Sequence, residues 1–318
     1  MAQVLSPFGV AVSGSLAACY ALISIYPLDL IKTRIQVQSK HNVDPEQHYK
    51  STLDALIKII QKEGPLALYN GLGGGLLYTV LSNFSYFYTY GFVRSKYLKR
   101  FPGEIGIAME LALGAVAGAL SQIITLPIAV VNTRQLTSSK DERKDFIGTW
   151  VQVVKEEGIE GLWRGLGPAL ILCVNPAITY GLHSRMKTAV NQRAGREADA
   201  RLSGSETFVI GAIAKTLATI VSYPYILAKI RLQWRPKPVE GAQAGVTYKS
   251  TFDVLKKVLE SDGITGWYRG MGAQIYKAVL QQALLFLSKD EFEFFTLMVF
   301  TFIATKIKAL RQVSNHKK

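Results

Sequence analysis

Three prolines, each in an apolar run and each followed seven residues later by an arginine, recur about one hundred residues apart: Pro27 to Arg34, Pro127 to Arg134 and Pro224 to Arg231. Two further landmarks keep that register. Glycines at Gly14, Gly114 and Gly211 each lie thirteen residues before a proline. Downstream, Glu63-Gly64, Glu157-Gly158 and Asp262-Gly263 are followed by Tyr69-Asn70-Gly71, Trp163-Arg164-Gly165 and Tyr268-Arg269-Gly270. Three landmarks in step, three times over, describe an internal repeat. The expected division is repeat 1 over 1–100, repeat 2 over 101–200 and repeat 3 over 201–300, with a basic C-terminal tail over 301–318.

The chain has 318 residues, of which 49% are hydrophobic, yet its mean hydropathy is only +0.17. A membrane bundle that is apolar outside and polar toward a wet cavity has this compromise composition. Ile105 to Val131, with the single acid Glu110, is the clearest span and exceeds the roughly 30 Å of a hydrocarbon core. Val4 to Ile31, Leu72 to Val93, Leu166 to Leu182, Phe208 to Ile230 and Met271 to Leu287 are similar in length. The expectation is an all-α membrane protein: six tilted transmembrane helices in three pseudo-threefold repeats, with short surface helices, around a central cavity.

Within each repeat the first span should end near its proline. A proline removes a helix hydrogen bond, so Pro27, Pro127 and Pro224 are expected to kink their helices. Pro45 and Lys50 belong to the first connector. Amphipathic helices follow over Ser51 to Glu63, Phe146 to Glu157 and Thr251 to Asp262, with apolar residues such as Leu53, Leu56, Ile57 and Ile60 at helical spacing. The acid-glycine pair closes each, with glycine in a left-handed terminal position. Gly14-x-x-x-Ala18 and Gly114-x-x-x-Gly118 favour close helix packing. The third copy reads Gly211-x-x-x-Lys215, and a lysine in mid-span needs water, a partner or a ligand.

The formal net charge is +14. The basic residues are spread over connectors and helix ends and no nucleic-acid-binding motif is present, so anionic lipid and an anionic solute are the expected partners rather than nucleic acid. Cys19 and Cys173 lie in expected spans and show neither disulfide nor metal-ligand spacing, and no metal or cofactor is expected. His41, His48, His183 and His316 likewise lack ligand spacing. No nucleophile elbow, Cys/His constellation or phosphate-binding glycine loop suggests an enzyme. A membrane scaffold without transport would not need Lys215 and Lys277 in mid-membrane.

The repeated Pro-x-Asp/Glu-x-x-Lys/Arg-x-Lys/Arg pattern and its acidic-Gly, aromatic-x-Gly sequel resemble the mitochondrial carrier family over nearly the whole chain, from about Phe8 to Phe295. Within it, Ser82 to Tyr90, Val174 to Tyr180 and Gly211 to Pro224 are most similar to the peroxisomal branch. The resemblance implies alternating access around one central site. It further implies exchange of adenine nucleotides, cytosolic ATP for lumenal AMP or ADP. CoA, NAD or FAD, or another anion in the mitochondrial inner membrane, are the alternatives. A monomer in the peroxisomal membrane, delivered by that organelle's membrane-protein import factors, is implied as well. The basic segments 140–144 and 193–201 are candidate targeting signals, or simply solvated loops.

The resemblance also assigns roles. Family members close the inner gate with ion pairs between odd-numbered helices. Here only Asp29 remains among the acids; its expected partner is Asn132, while Lys229 would face Ala129 and Lys32 would face Ile226. The expected inner gate is Asp29, Lys32, Asn132 and Lys229 braced by Gln36 and Gln233, with Asp29 choosing Lys32 or Lys229. This gate is weak, and Ala129→Asp with Ile226→Asp should lock it. Arg34, Arg134 and Arg231 are expected to ring the inner end and attract anions. Arg94 with Asp290 is the expected outer gate. Substrate contacts are expected at Tyr78 and Thr79, Leu172 and Cys173, and Lys277, joined by Lys215, Asn83, Tyr86, Gln122, Asn175 and Gln281: aromatic groups for a base and lysines for phosphate.

Overall fold

The computed structural model describes residues 7–38, 49–138, 143–197, 200–234, 248–281 and 284. The chain divides into two units, Met1–Ile25 with Lys277–Lys318, and Tyr26–Tyr276. In the first, the start of the opening helix and residues 277–281 are helical.

All regular structure among the described residues is helical. The long helices are α1 (Pro7–Val37), α3 (Leu72–Arg100), α4 (Ile107–Thr137) and α8 (Gly204–Gln233); the fourth span is divided into α6 (Leu166–Leu172) and α7 (Asn175–Arg193). Thirty-one residues, as in α1 and α4, rise about 46 Å, enough to cross a bilayer with tilt. The short helices are α2 (Thr52–Glu63), α5 (Phe146–Glu157) and α9 (Thr251–Asp262), each continued by a 3₁₀ turn, and helix resumes at 271–281. Ile107–Thr137, Ile159–Arg193 and Gly204–Gln233 are apolar enough to span a membrane.

The short helices begin at oxygen caps. Ser51 and Ser250 accept the amides of Asp54 and Asp253, and Asp145 accepts that of Gly148. Each end has two different glycine conformations. Gly64, Gly158 and Gly263 combine φ of 88°, 73° and 71° with an extended ψ, a region open essentially to glycine alone. The left-handed conformation expected there occurs instead at Gly71 and Gly165, which open α3 and α6.

The long helices do not end at their prolines. Pro27, Pro127 and Pro224 lie inside α1, α4 and α8, which continue to Val37, Thr137 and Gln233. The continuations are held by packing. Leu126, Ala129, Val130 and Val131 of α4 form a core with Val153 of α5, Leu162 and Ala169. Leu227, Ala228 and Leu232 of α8 do the same with Val254 and Val258 of α9 and Tyr248. Each fully buried aliphatic side chain contributes about 1.5–3 kcal/mol, which offsets the hydrogen bond a proline omits.

Arginines then link the copies in a cycle. Arg34 Nε donates to the Leu136 carbonyl at 3.0 Å, Arg134 Nε to Gln233 at 2.8 Å and Arg231 Nε to Gln36 at 3.0 Å. The acceptor is always nine residues after the proline of the next copy, and the third copy returns to the first. Arg34 and Arg134 also pair with Glu63 and Glu157, the acids of their own acid-glycine landmarks. Asp262 turns to Arg269 at 3.5 Å, while Arg231 donates to Tyr248 Oη.

Candidate functional site

Above this ring the wall of the unit encloses a cavity of about 490 Å³, lined by α3, α4, the α6–α7 break and α8. Its lining includes Glu110, Gly114, Gly118 and Gln122, four residues apart on α4, a row that turns gradually about the helix as it follows the cavity. The rungs rise about 6 Å each, so the ladder measures about 18 Å along the axis. Each rung meets a different chemistry. Gln122 Oε1 accepts Lys229 Nζ at 3.2 Å. A Cβ on Gly118 would lie 3.4 Å from Cys173 Sγ, and one on Gly114 would lie 3.4 Å from Tyr86 Oη. Glu110 Oε1 accepts the Tyr90 hydroxyl and Arg94 Nε. Gly114 and Gly118 thus let Tyr86 of α3 and Cys173 after α6 approach α4 closely, as expected of small residues, whereas at Gly211 a Cβ would meet nothing within 4 Å.

Opposite the middle rungs the fourth span breaks. Pro176 has no N–H to return to Leu172, and the Ala177 amide bonds Val174 instead of Cys173. The Leu172 and Cys173 carbonyls therefore lack a backbone partner among the described residues, and both residues line the cavity. Irregular backbone at membrane depth persists where it borders a wet or liganded space. Asn175, at the start of α7, is fixed to α8 through Ser222 Oγ at 3.1 Å.

Of the expected substrate contacts, the cavity brings together Asn83, Tyr86, Gln122, Leu172 and Cys173. Others lie elsewhere. Tyr78 packs on the apolar core of the second copy, and Thr79 donates to Gly75 of its own helix. Asn175, outside the lining, donates Nδ2 to Ser222, while its Oδ1 is buried without a hydrogen-bond partner among the described residues. Lys215 is exposed on α8 and outside the lining, because the neighbouring Ala214 and Ala218 are the residues α8 buries. Lys277, half-buried, and Gln281 belong to the other unit.

The gate residues are also redistributed. Lys229 lines the cavity on Gln122 and, among the described residues, has no carboxylate at ion-pair distance. Asp29 holds Lys32 one turn on, at 2.8 Å. Asn132 keeps Oδ1 buried without a hydrogen-bond partner among the described residues. Gln36 donates to Tyr223 Oη at 3.0 Å and Gln233 accepts from Thr133 at 2.9 Å, so both join neutral cross-helix pairs. Ala129 is buried among aliphatic side chains, so an aspartate there would have to be drawn out of an apolar core rather than simply restore a pair. Arg34 and Arg231 are 7% and 1% exposed, and Arg134 is enclosed with Glu157. They are staples between copies, not an open ring that attracts anions. Arg94 pairs with Glu110 at 3.1 Å; its expected partner Asp290 lies outside the described residues.

Sequence reasoning missed Glu110, Tyr90 and the cavity position of Lys229. A usable signal was present for the first: the only acid in the most apolar span, set at four-residue spacing from Gly114, Gly118 and Gln122.

The mitochondrial carrier protein family model matches residues 3–101, 103–194 and 200–298. A Dictyostelium discoideum mitochondrial substrate carrier family protein, Q, is 37% identical over 89% of this chain and 87% of its own length. Peroxisomal adenine nucleotide transporter 1 of Saccharomyces cerevisiae is 33% identical over 88% of this chain and 90% of its own. A peroxisomal nicotinamide adenine dinucleotide carrier of Arabidopsis thaliana is 29% identical over 88% and 93%. The likeness to peroxisomal carriers locates the chain as a multi-pass protein of the peroxisomal membrane, a transporter and not an enzyme. With three matched copies and three arginine links that close on themselves, the chain belongs to the mitochondrial carrier family.

Proposed function

We propose that this carrier exchanges adenine nucleotides across the peroxisomal membrane, cytosolic ATP for lumenal AMP or ADP, by alternating access. The observation that carries the reading is the polarity of the cavity. Lys229 stands at one end on a neutral amide, and Tyr86 stacks with Tyr90 toward the other, ring centroids 6.1 Å apart. An ammonium in a poorly solvated wall is costly until an anion joins it, and phosphate is suited to such a point charge. Aromatic faces stack on a base for about 1–3 kcal/mol. The peroxisomal adenine nucleotide carriers among the relatives support the same cargo. Arg34, Arg134 and Arg231 hold the proline end together while the cavity loads.

The length of the ladder and the Arabidopsis relative favour one second reading, NAD carriage. Purified protein in liposomes preloaded with AMP separates the two. The expected result is uptake of labelled ATP that depends on internal AMP and exceeds uptake of NAD or CoA. Rapid NAD or CoA uptake with no ATP uptake would overturn the choice of cargo.

A further inference from the structure

We infer that Glu110 reads the base of the cargo, its carboxylate accepting the exocyclic amine of adenine and excluding bases with an oxygen at that position. The inference rests on the nucleotide-carrier reading above.

The ladder on α4 sets the direction. Lys229 and Gln122 fix the phosphate end, because Lys229 has no carboxylate at ion-pair distance among the described residues, whereas the cation at the other end, Arg94, is already paired with Glu110. Glu110 lies twelve residues from Gln122 along α4 and lines the same cavity. The separation is about 18 Å along the axis, shortened by the two side chains reaching inward. That matches an extended nucleotide with a hydrogen bond added at each end. Between them, the Leu172 and Cys173 carbonyls, without a backbone partner among the described residues, can accept sugar hydroxyls, and Tyr86 offers its ring beside Gly114.

An ionised carboxylate only accepts hydrogen bonds. Tyr90 and Arg94 occupy Oε1, whereas Oε2 is buried without a hydrogen-bond partner among the described residues. The Glu110 side chain as a whole is 37% exposed, and the terminal torsion of a glutamate is soft, so a small rotation presents Oε2 to the cavity. Adenine brings an N–H donor to that place. Hypoxanthine brings a carbonyl oxygen, which the carboxylate repels.

The test compares AMP, IMP and N6,N6-dimethyl-AMP by ligand-dependent thermal stabilisation of the purified full chain. The native protein should bind AMP at least about tenfold more tightly than the other two, since N6,N6-dimethyl-AMP has no N–H on that edge and IMP carries its N–H at N1, displaced from the exocyclic position, beside a repelled oxygen. Glu110→Gln places an amide that can donate, so it should erase or invert the AMP-over-IMP preference. Glu110→Asp keeps the acceptor but shortens its reach, and should reduce the ratio without inverting it. Equal affinity of the native protein for AMP and IMP would overturn the inference whatever the variants do. So would an AMP preference unchanged in Glu110→Gln. If none of the nucleotides stabilises the native protein, the nucleotide reading itself fails and takes the inference with it.

Discussion

The proline end and the cavity wall are built from the same three copies, yet only the first keeps their symmetry. At the proline end, Arg34, Arg134 and Arg231 make one hydrogen bond three times over, each to the next copy. In the wall, equivalent residues diverge: position 110 of α4 is an acid, Lys229 serves the cavity, and Lys32 stays with Asp29. A contact that holds three helices together works equally well in every copy. An asymmetric ligand has a charged end and a flat end, and gains nothing from three identical walls. Preserved symmetry therefore marks structure here, and broken symmetry marks where the proposed cargo would be read.

Replacing an arginine of the ring should do most damage to stability. In Arg134→Ala, Glu157, with 3% of its side chain exposed, loses this ion pair and retains that with Arg164. The Gln233 carbonyl also loses its donor. Breaking a buried pair in this way costs about 3–5 kcal/mol, read as a large fall in melting temperature in detergent. A fall as small as that of a surface substitution would remove the claim that the ring holds the copies together.

Gly165→Ala tests the seam between the two regions. Gly165 has φ of 84°, and an added Cβ would lie 3.1 Å from the Lys229 carbonyl. Strain in the left-handed region plus this contact should cost about 1–3 kcal/mol. Because the displaced backbone carries Lys229, uptake should fall as well. A stability loss with undiminished uptake would separate the seam from the site.

Lys229→Gln belongs wholly to the wall. The amide can still pair with Gln122, so stability should change by no more than about 0.5 kcal/mol. Without the charge, nucleotide uptake in liposomes should drop at least about tenfold. A destabilised protein with normal uptake would return Lys229 to the gate.

The same division explains what could be read before the structure. The short helices were legible to within a residue, because Ser51, Asp145 and Ser250 cap them and glycine ends them, all local chemistry. The repeat made the arginines visible as a set, but not their burial, which depends on carbonyls a hundred residues away. Lys229 read as a gate residue because its place in the repeat says so; its position in the wall depends on Gln122 of another copy. Lys215 read as a cavity residue because mid-span lysine is costly, but the face it takes is set by Ala214 and Ala218 packing. Position within a repeat is a local property, and the partner that breaks symmetry is not.

The smallest expected effect tests the symmetric side at its margin. The Lys50 amide donates to Asp54 at 2.8 Å, and this bond, with Lys58 beside it, holds the Asp54 carboxyl below the usual carboxylate range. Burial pushes Asp253 up, but the Lys249 amide and Lys257 outweigh it and leave that carboxyl lowered too. The second copy uses Asp145 as the cap itself and has Gly148 where the other two have the acid. A carboxyl with a depressed folded pKa stabilises the fold above its unfolded value of about 3.9, and that contribution disappears as pH falls through the folded value. Asp54→Asn should therefore lower the melting temperature slightly at pH 7, with the difference closing toward pH 3. A difference that stays constant across that range would mean that the amide bond, not the charge, is what Asp54 supplies. The first and third copies would then differ from the second in cap geometry alone.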